Sequence, residues 1–139
     1  MSSIASAPAS GRLSIRIELP NGSRLGPGKV ALLESIGQRR AIAAAARDHD
    51  MSYRRAWLLI DDLNRAFSEP VVETFPGRSQ GAGAALTAFG TRLVALFRAT
   101  ERRCFKAAAP SLREIAEASH AGYAAGELKR TVRKSGERA

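Results

Sequence analysis

One cysteine, Cys104, stands among 139 residues, which excludes an internal disulfide and a thiolate metal cluster and leaves it as a small core or interface residue. The two histidines, His49 and His120, give none of the usual zinc spacings, and neither has an evident nucleophile or paired carboxylate to work with. Asp48 with Asp50, and Asp61 with Asp62, lie in surface contexts. No catalytic constellation results, and the chain is expected not to be an enzyme and to carry no cofactor. No apolar run approaches the roughly 20 residues that span a bilayer, and the start lacks a charged segment followed by an apolar one, so a cytoplasmic protein without a membrane partner is expected. Acids are also scarce: 13 Asp and Glu stand against 22 Lys and Arg, a formal net charge of +9. That surplus attracts polyanions, nucleic acid first among them.

With 45% hydrophobic residues, the chain can build one small core. Residues 1–11 are small and polar and are expected to form a disordered arm. Arg12 to Pro20 alternates Leu13, Ile15, Ile17 and Leu19 with polar residues, the pattern of a half-buried strand. A turn leads to Pro27, a good first helical residue, and Gly37 suits a C-terminal cap. Gln38 to Arg47 has strong helix propensity, and its run Ala43 to Ala46 allows another helix to pack closely. After the tight turn DHD, Ser52 suits the N-cap of a helix with core positions Ala56, Leu59, Ile60, Leu63 and Phe67. Val71 to Phe75 and Ala84 to Leu86 read as a hairpin around the basic, glycine-rich PGRSQGAG, and Thr87 can cap a further helix that Pro110 is expected to break. SLREIAEASHAGY then reads as a weaker amphipathic helix using Leu112, Ile115, Ser119 and Tyr123.

The fold class that follows is mainly α with a small β-hairpin: a winged helix-turn-helix over 12–86, a helical dimerisation region over 87–126 and a basic tail over 127–139. In such a motif the second helix enters the DNA major groove N-terminus first. Arg54 and Arg55 in the first turn oppose the helix dipole, whereas Asp61 and Asp62 come later. As solvated surface charges they would gain nothing there. Against phosphates and guanine edges, Ser52, Tyr53, Arg54 and Arg55 at the positive helix end form a fitting surface. Arg39 and Arg40 at the start of the first motif helix, and Arg78 and Ser79 at the hairpin tip, complete the expected contacts with double-stranded DNA. Tyr53 and Trp57 flank the apolar arc, where core packing is the default for aromatics, with Tyr53 able to offer its hydroxyl to a phosphate. The glycines of the tip lack the spacing and lysine of a nucleotide-binding loop. After the hairpin, Phe89, Leu93, Leu96 or Phe97, Thr100, Cys104 and Ala107 recur every three or four residues over about five turns, and Leu93, Leu96, Phe97, Thr100 and Cys104 of this stripe are expected to pair with a second copy.

The segments LGPGKVALLESIG, AIAAAARDHDMSYRRAWLLIDDLNRAFSEPVVET and ALTAFGTRLVALFRATE, with the glycine-rich loop before the last, resemble the N-terminal DNA-binding domain of ModE-type molybdate-responsive transcriptional regulators. That domain is related to the winged helix of LysR-type regulators. The resemblance covers about Leu25 to Glu101. It implies a dimeric bacterial transcription factor whose helix from Ser52 reads the major groove. Full-length regulators of this type bind molybdate in a second region of small β-barrels, and the residues after Pro110 show no strand-like alternation. The expectation is a DNA-binding unit without the molybdate domain. Two rivals stay open: a nucleoid-type or RNA-binding basic protein with little sequence preference, and a small oxyanion-binding or interaction module.

Overall fold

The computed structural model describes residues 11–78 and 81–124, the side chains of 77–82 excepted. Its contacts divide the described residues into two compact units, one of them Leu13–Ala107, the other taking in 108–124. Ile17–Glu18 (β1) pairs antiparallel with Arg24–Leu25 (β2), Ile17 opposite Leu25. The alternation across Arg12 to Pro20 is kept in the burial, with the apolar residues half-buried and the polar ones exposed. Only two residues form a ladder, however, because the partner strand gives way at once to Gly26 and a helix start. Asn21 holds the turn, its Oδ1 accepting from the Ser23 amide at 3.0 Å.

Pro27–Arg39 (α1) begins on its proline as expected and buries Val30, Leu32, Leu33 and Ile36. It does not stop at Gly37. That glycine stays helical, its missing side chain leaving room for Leu86, whose Cδ1 would lie 3.2 Å from an added Cβ. The helix ends instead at Arg40, in the left-handed region with φ 58°. Consequently Gln38 to Arg47 is not one helix: Ile42–Asp48 (α2) starts after a corner, which turns Ile42, Ala45 and Ala46 into the core. Burial of that face overrides the propensity to run straight on. Tyr53–Ala66 (α3) follows the tight turn and buries Ala56, Ile60 and Leu63.

Val72–Arg78 (β3) and Gly81–Leu86 (β4) form an antiparallel hairpin with Val72 opposite Leu86 and Phe75 opposite Gly83; the register then shifts so that Arg78 faces Gly81. The ladder thus reaches into the glycine-rich segment expected to be loop, because pairing satisfies backbone groups whatever the side chains. Ala88–Glu117 (α4) is one helix with Pro110 inside it. A proline there removes one backbone bond and strains the preceding turn, but the good helix formers around it, Ala107 to Ala109 and Leu112 to Glu114, carry the helix on. The expected helix through Tyr123 ends at Glu117, and Ile115 and Tyr123 are exposed rather than packed.

Thr87 caps α4 as read from its sequence, its Oγ1 accepting from the Gly90 amide at 2.9 Å and donating to the Pro70 carbonyl at 2.7 Å. Gly90 is where α4 meets the chain before β3, and a Cβ there would collide with the Val71 carbonyl. Arg98 bridges Glu34 of α1 and Glu101. Its hydrogen bonds to Glu34, and then to Glu101, hold the guanidinium above its ordinary pKa. Phe97 is only 1% exposed and belongs to the same core as Leu32, Leu33, Ile36 and Leu63, and Leu93 is buried too. This corrects the expected seam, since two of its members fill the core of their own chain. Leu96, Thr100 and Cys104 are the more accessible ones, Leu96 at 49%. Three helices, a hairpin and a long helix in this order make a winged helix.

Candidate nucleic-acid interface

The start of α3 is built as its sequence implies. Ser52 is extended, and its Oγ accepts from the Arg55 amide at 3.1 Å, satisfying one of the free N–H groups of the first turn. That turn contains no acid. Tyr53, Arg54 and Arg55 are all exposed, and neither arginine enters an ion pair among the described residues. The two later carboxylates are tied back: Asp61 to Arg65 at 3.0 Å, and Asp62 to Lys29 at 3.5 Å and Arg65 at 3.6 Å. The positive end of the helix is left open, and the negative charges behind it are paired.

Trp57 departs from the core-packing default for its type and is 45% exposed. The buried arc of α3 is held by Ala56, Ile60 and Leu63. At about 100° per residue, Trp57 falls off its edge and Leu58 nearly opposite it. Helical spacing alone does not separate an aromatic at the edge of an arc from one inside it. Tyr53 lies on the same flank and is likewise exposed.

Arg39 and Arg40, expected as contacts, have defined partners. The Arg39 guanidinium grips Asp48 at 3.0 and 2.7 Å, joining the ends of α1 and α2. This hydrogen bond holds the Asp48 carboxyl below its usual range, against some desolvation, and raises Arg39 in turn. Arg40 turns the corner, and its carbonyl accepts from the Ala84 amide at 3.1 Å, stitching the corner to β4. Its side chain is exposed. Ser79 and the side chain of Arg78 lie outside the described residues.

One positioning residue escapes a reading of the sequence. Asn64, in the last turns of α3, uses its whole amide on the start of the hairpin. Its Oδ1 accepts from the Val71 and Val72 amides at 2.7 and 3.1 Å, and its Nδ2 donates to the Val72 carbonyl at 3.0 Å. The only hint in the sequence is an asparagine, a poor helix former, inside a strongly amphipathic helix. No group of His, Cys, Asp and Glu among the described residues could hold a metal ion. No described helix is long and apolar enough to cross a membrane.

Fold and surface together define a winged-helix protein whose second motif helix presents a positive, uncrowded N-terminus. No family model matches the chain. Over 80 residues it is 42% identical to the molybdenum-pterin-binding protein MopB of Rhodobacter capsulatus, covering 58% of this chain and 30% of that one. It is 40% identical, with the same coverage, to the molybdenum transport protein ModE of Azotobacter vinelandii. The DNA-binding transcriptional dual regulator ModE of Escherichia coli K12 is 35% identical over 71 residues, 51% of this chain and 27% of its own length. Over this region the chain is similar to proteins named ModE, a DNA-binding transcriptional regulator among them. It spans under a third of the length of each of these three relatives.

Proposed function

We propose that the chain is a sequence-specific regulator of transcription that binds double-stranded DNA as a homodimer in the cytoplasm and catalyses no reaction. The first two turns of α3 enter the major groove, with Arg54 and Arg55 meeting guanine edges or phosphates and Tyr53 offering its hydroxyl. The hairpin acts as the wing, and Arg78 and Ser79 at its tip serve the flanking backbone. The observation that carries this reading is the charge arrangement of α3: a capped, acid-free N-terminus with two arginines that have no ion-pair partner among the described residues, and both carboxylates paired behind it. Homology to regulators described as DNA-binding supports it. Exposed Leu96, with half-exposed Thr100 and Cys104, offers the surface for a second copy.

Selection of DNA fragments by the purified protein, followed by titration against competitor DNA, tests the reading. A single enriched motif, bound about 1,000-fold or more tighter than random sequence, is the expected result. Uniform binding would favour instead a basic protein without sequence preference, which the net charge of +9 would also support. Several relatives carry molybdenum in their names. Calorimetry of this chain with molybdate and tungstate tests whether an oxyanion is its effector; binding heat with a matching change in DNA affinity would support one.

A further inference from the structure

We propose that Leu58, with Trp57 beside it, contacts the 5-methyl groups of thymine in the major groove, and so gives the chain both a base preference and a preference for DNA over RNA. This rests on the major-groove role of α3 proposed above. Leu58 is 46% exposed, about as exposed as its neighbour Trp57. It lies nearly opposite the buried arc and one turn beyond Arg54, so the two side chains follow each other along the most solvated strip of the helix. A leucine there presents apolar area to water, and nothing in the core requires it. Large apolar side chains grouped on an exposed helix mark a contact surface.

The surrounding charge selects the occupant. Arg54 and Arg55 stand one turn before Leu58, and the carboxylates one turn after it, Asp61 and Asp62, are turned onto Arg65 and Lys29. The partner must therefore be a polyanion with apolar groups within reach of its acceptors. In the major groove of duplex DNA the thymine methyl is the group of that kind. RNA lacks it, and the deep, narrow major groove of an RNA duplex does not admit side chains.

The test replaces thymidine by deoxyuridine, one position at a time, in the fragment selected by the full chain; only a methyl group is removed. At one or more positions wild-type affinity is expected to fall about four-fold, the worth of one buried methyl. Leu58→Ala, at an exposed helical site, should lose that sensitivity at its thymine while keeping the circular dichroism of wild type. Trp57 is the one tryptophan in the chain, so its emission is expected to shift when wild-type protein is saturated with the fragment. Indifference to deoxyuridine at every position, with Arg54-dependent binding intact, would overturn this inference alone. Full sensitivity retained in both Leu58→Ala and Trp57→Ala, or unchanged emission at saturation, would overturn the assignment to these side chains. Failure to select any DNA would overturn it together with the proposed function.

Discussion

Arg39 and Arg54 look alike in the sequence, each in an Arg-Arg pair near a helix end, and the structure separates them. Arg39 is engaged with Asp48, whereas Arg54 has no ion-pair partner among the described residues. Arg54→Ala is expected to cost about 1–3 kcal/mol of specific binding if it meets a base, and Arg39→Ala clearly less. Equal losses in the two variants, measured by titration of the selected fragment, would show that the ion pair does not hold Arg39 out of the interface. Gly90 gives a prediction about stability. Alanine usually stabilises a helix relative to glycine, by about 1 kcal/mol. Here the added Cβ meets the Val71 carbonyl, so Gly90→Ala is expected to lower the melting temperature; a rise would mean that the crossing yields easily. Ser52 and Thr87 were readable as caps because the capping bond is local. Gly90 was not, since the atom that makes glycine necessary lies on a distant part of the chain.

Among the elements, α3 is the most legible in the sequence, because one amphipathic period marks its core arc at Ala56, Ile60 and Leu63, though not the exposure of Trp57 at the edge of that arc. The corner at Arg40 was missed for the opposite reason: good helix formers lie on both sides of it, and only burial of Ile42 against the rest of the core demands the break. The hairpin is legible in the sequence only over Val71 to Phe75 and Ala84 to Leu86, since the Gly-rich part of its ladder lacks the alternation that announces a strand. What anchors that hairpin to α3 is Asn64. Asn64→Ala leaves two amides and one carbonyl of the β3 start without their partner, and about 1–3 kcal/mol is expected for such a loss. Faster hydrogen exchange at Val71 and Val72, with the amides of α1 unchanged, is the expected signature. Uniformly faster exchange throughout would mean that the clamp supports the whole core and not the hairpin alone.

For the chain taken whole, the stripe along α4 divides into a buried part and an exposed part that share one period in the sequence. Phe97 belongs to the core, so Phe97→Glu is expected to unfold the chain by burying an unpaired charge. Leu96 is half exposed, so Leu96→Glu should leave a folded protein; if this face pairs two copies, light scattering should then give the mass of one chain where wild type gives two. A wild-type mass of one chain at micromolar concentration would remove the dimer. The Asn64 clamp and the Arg40–Ala84 stitch also join α3, the α1–α2 corner and the hairpin to one another. If the chain reads DNA as proposed, a surface joined in this way resists adjusting its span to the groove, and misfit is taken up by bending or twisting of the duplex. Base pairs that no side chain touches should therefore influence affinity through their flexibility. Exchanging a pliable pyrimidine–purine step for a rigid A-tract in the untouched part of the selected site should change affinity, and loosening the protein with Asn64→Ala should blunt that change.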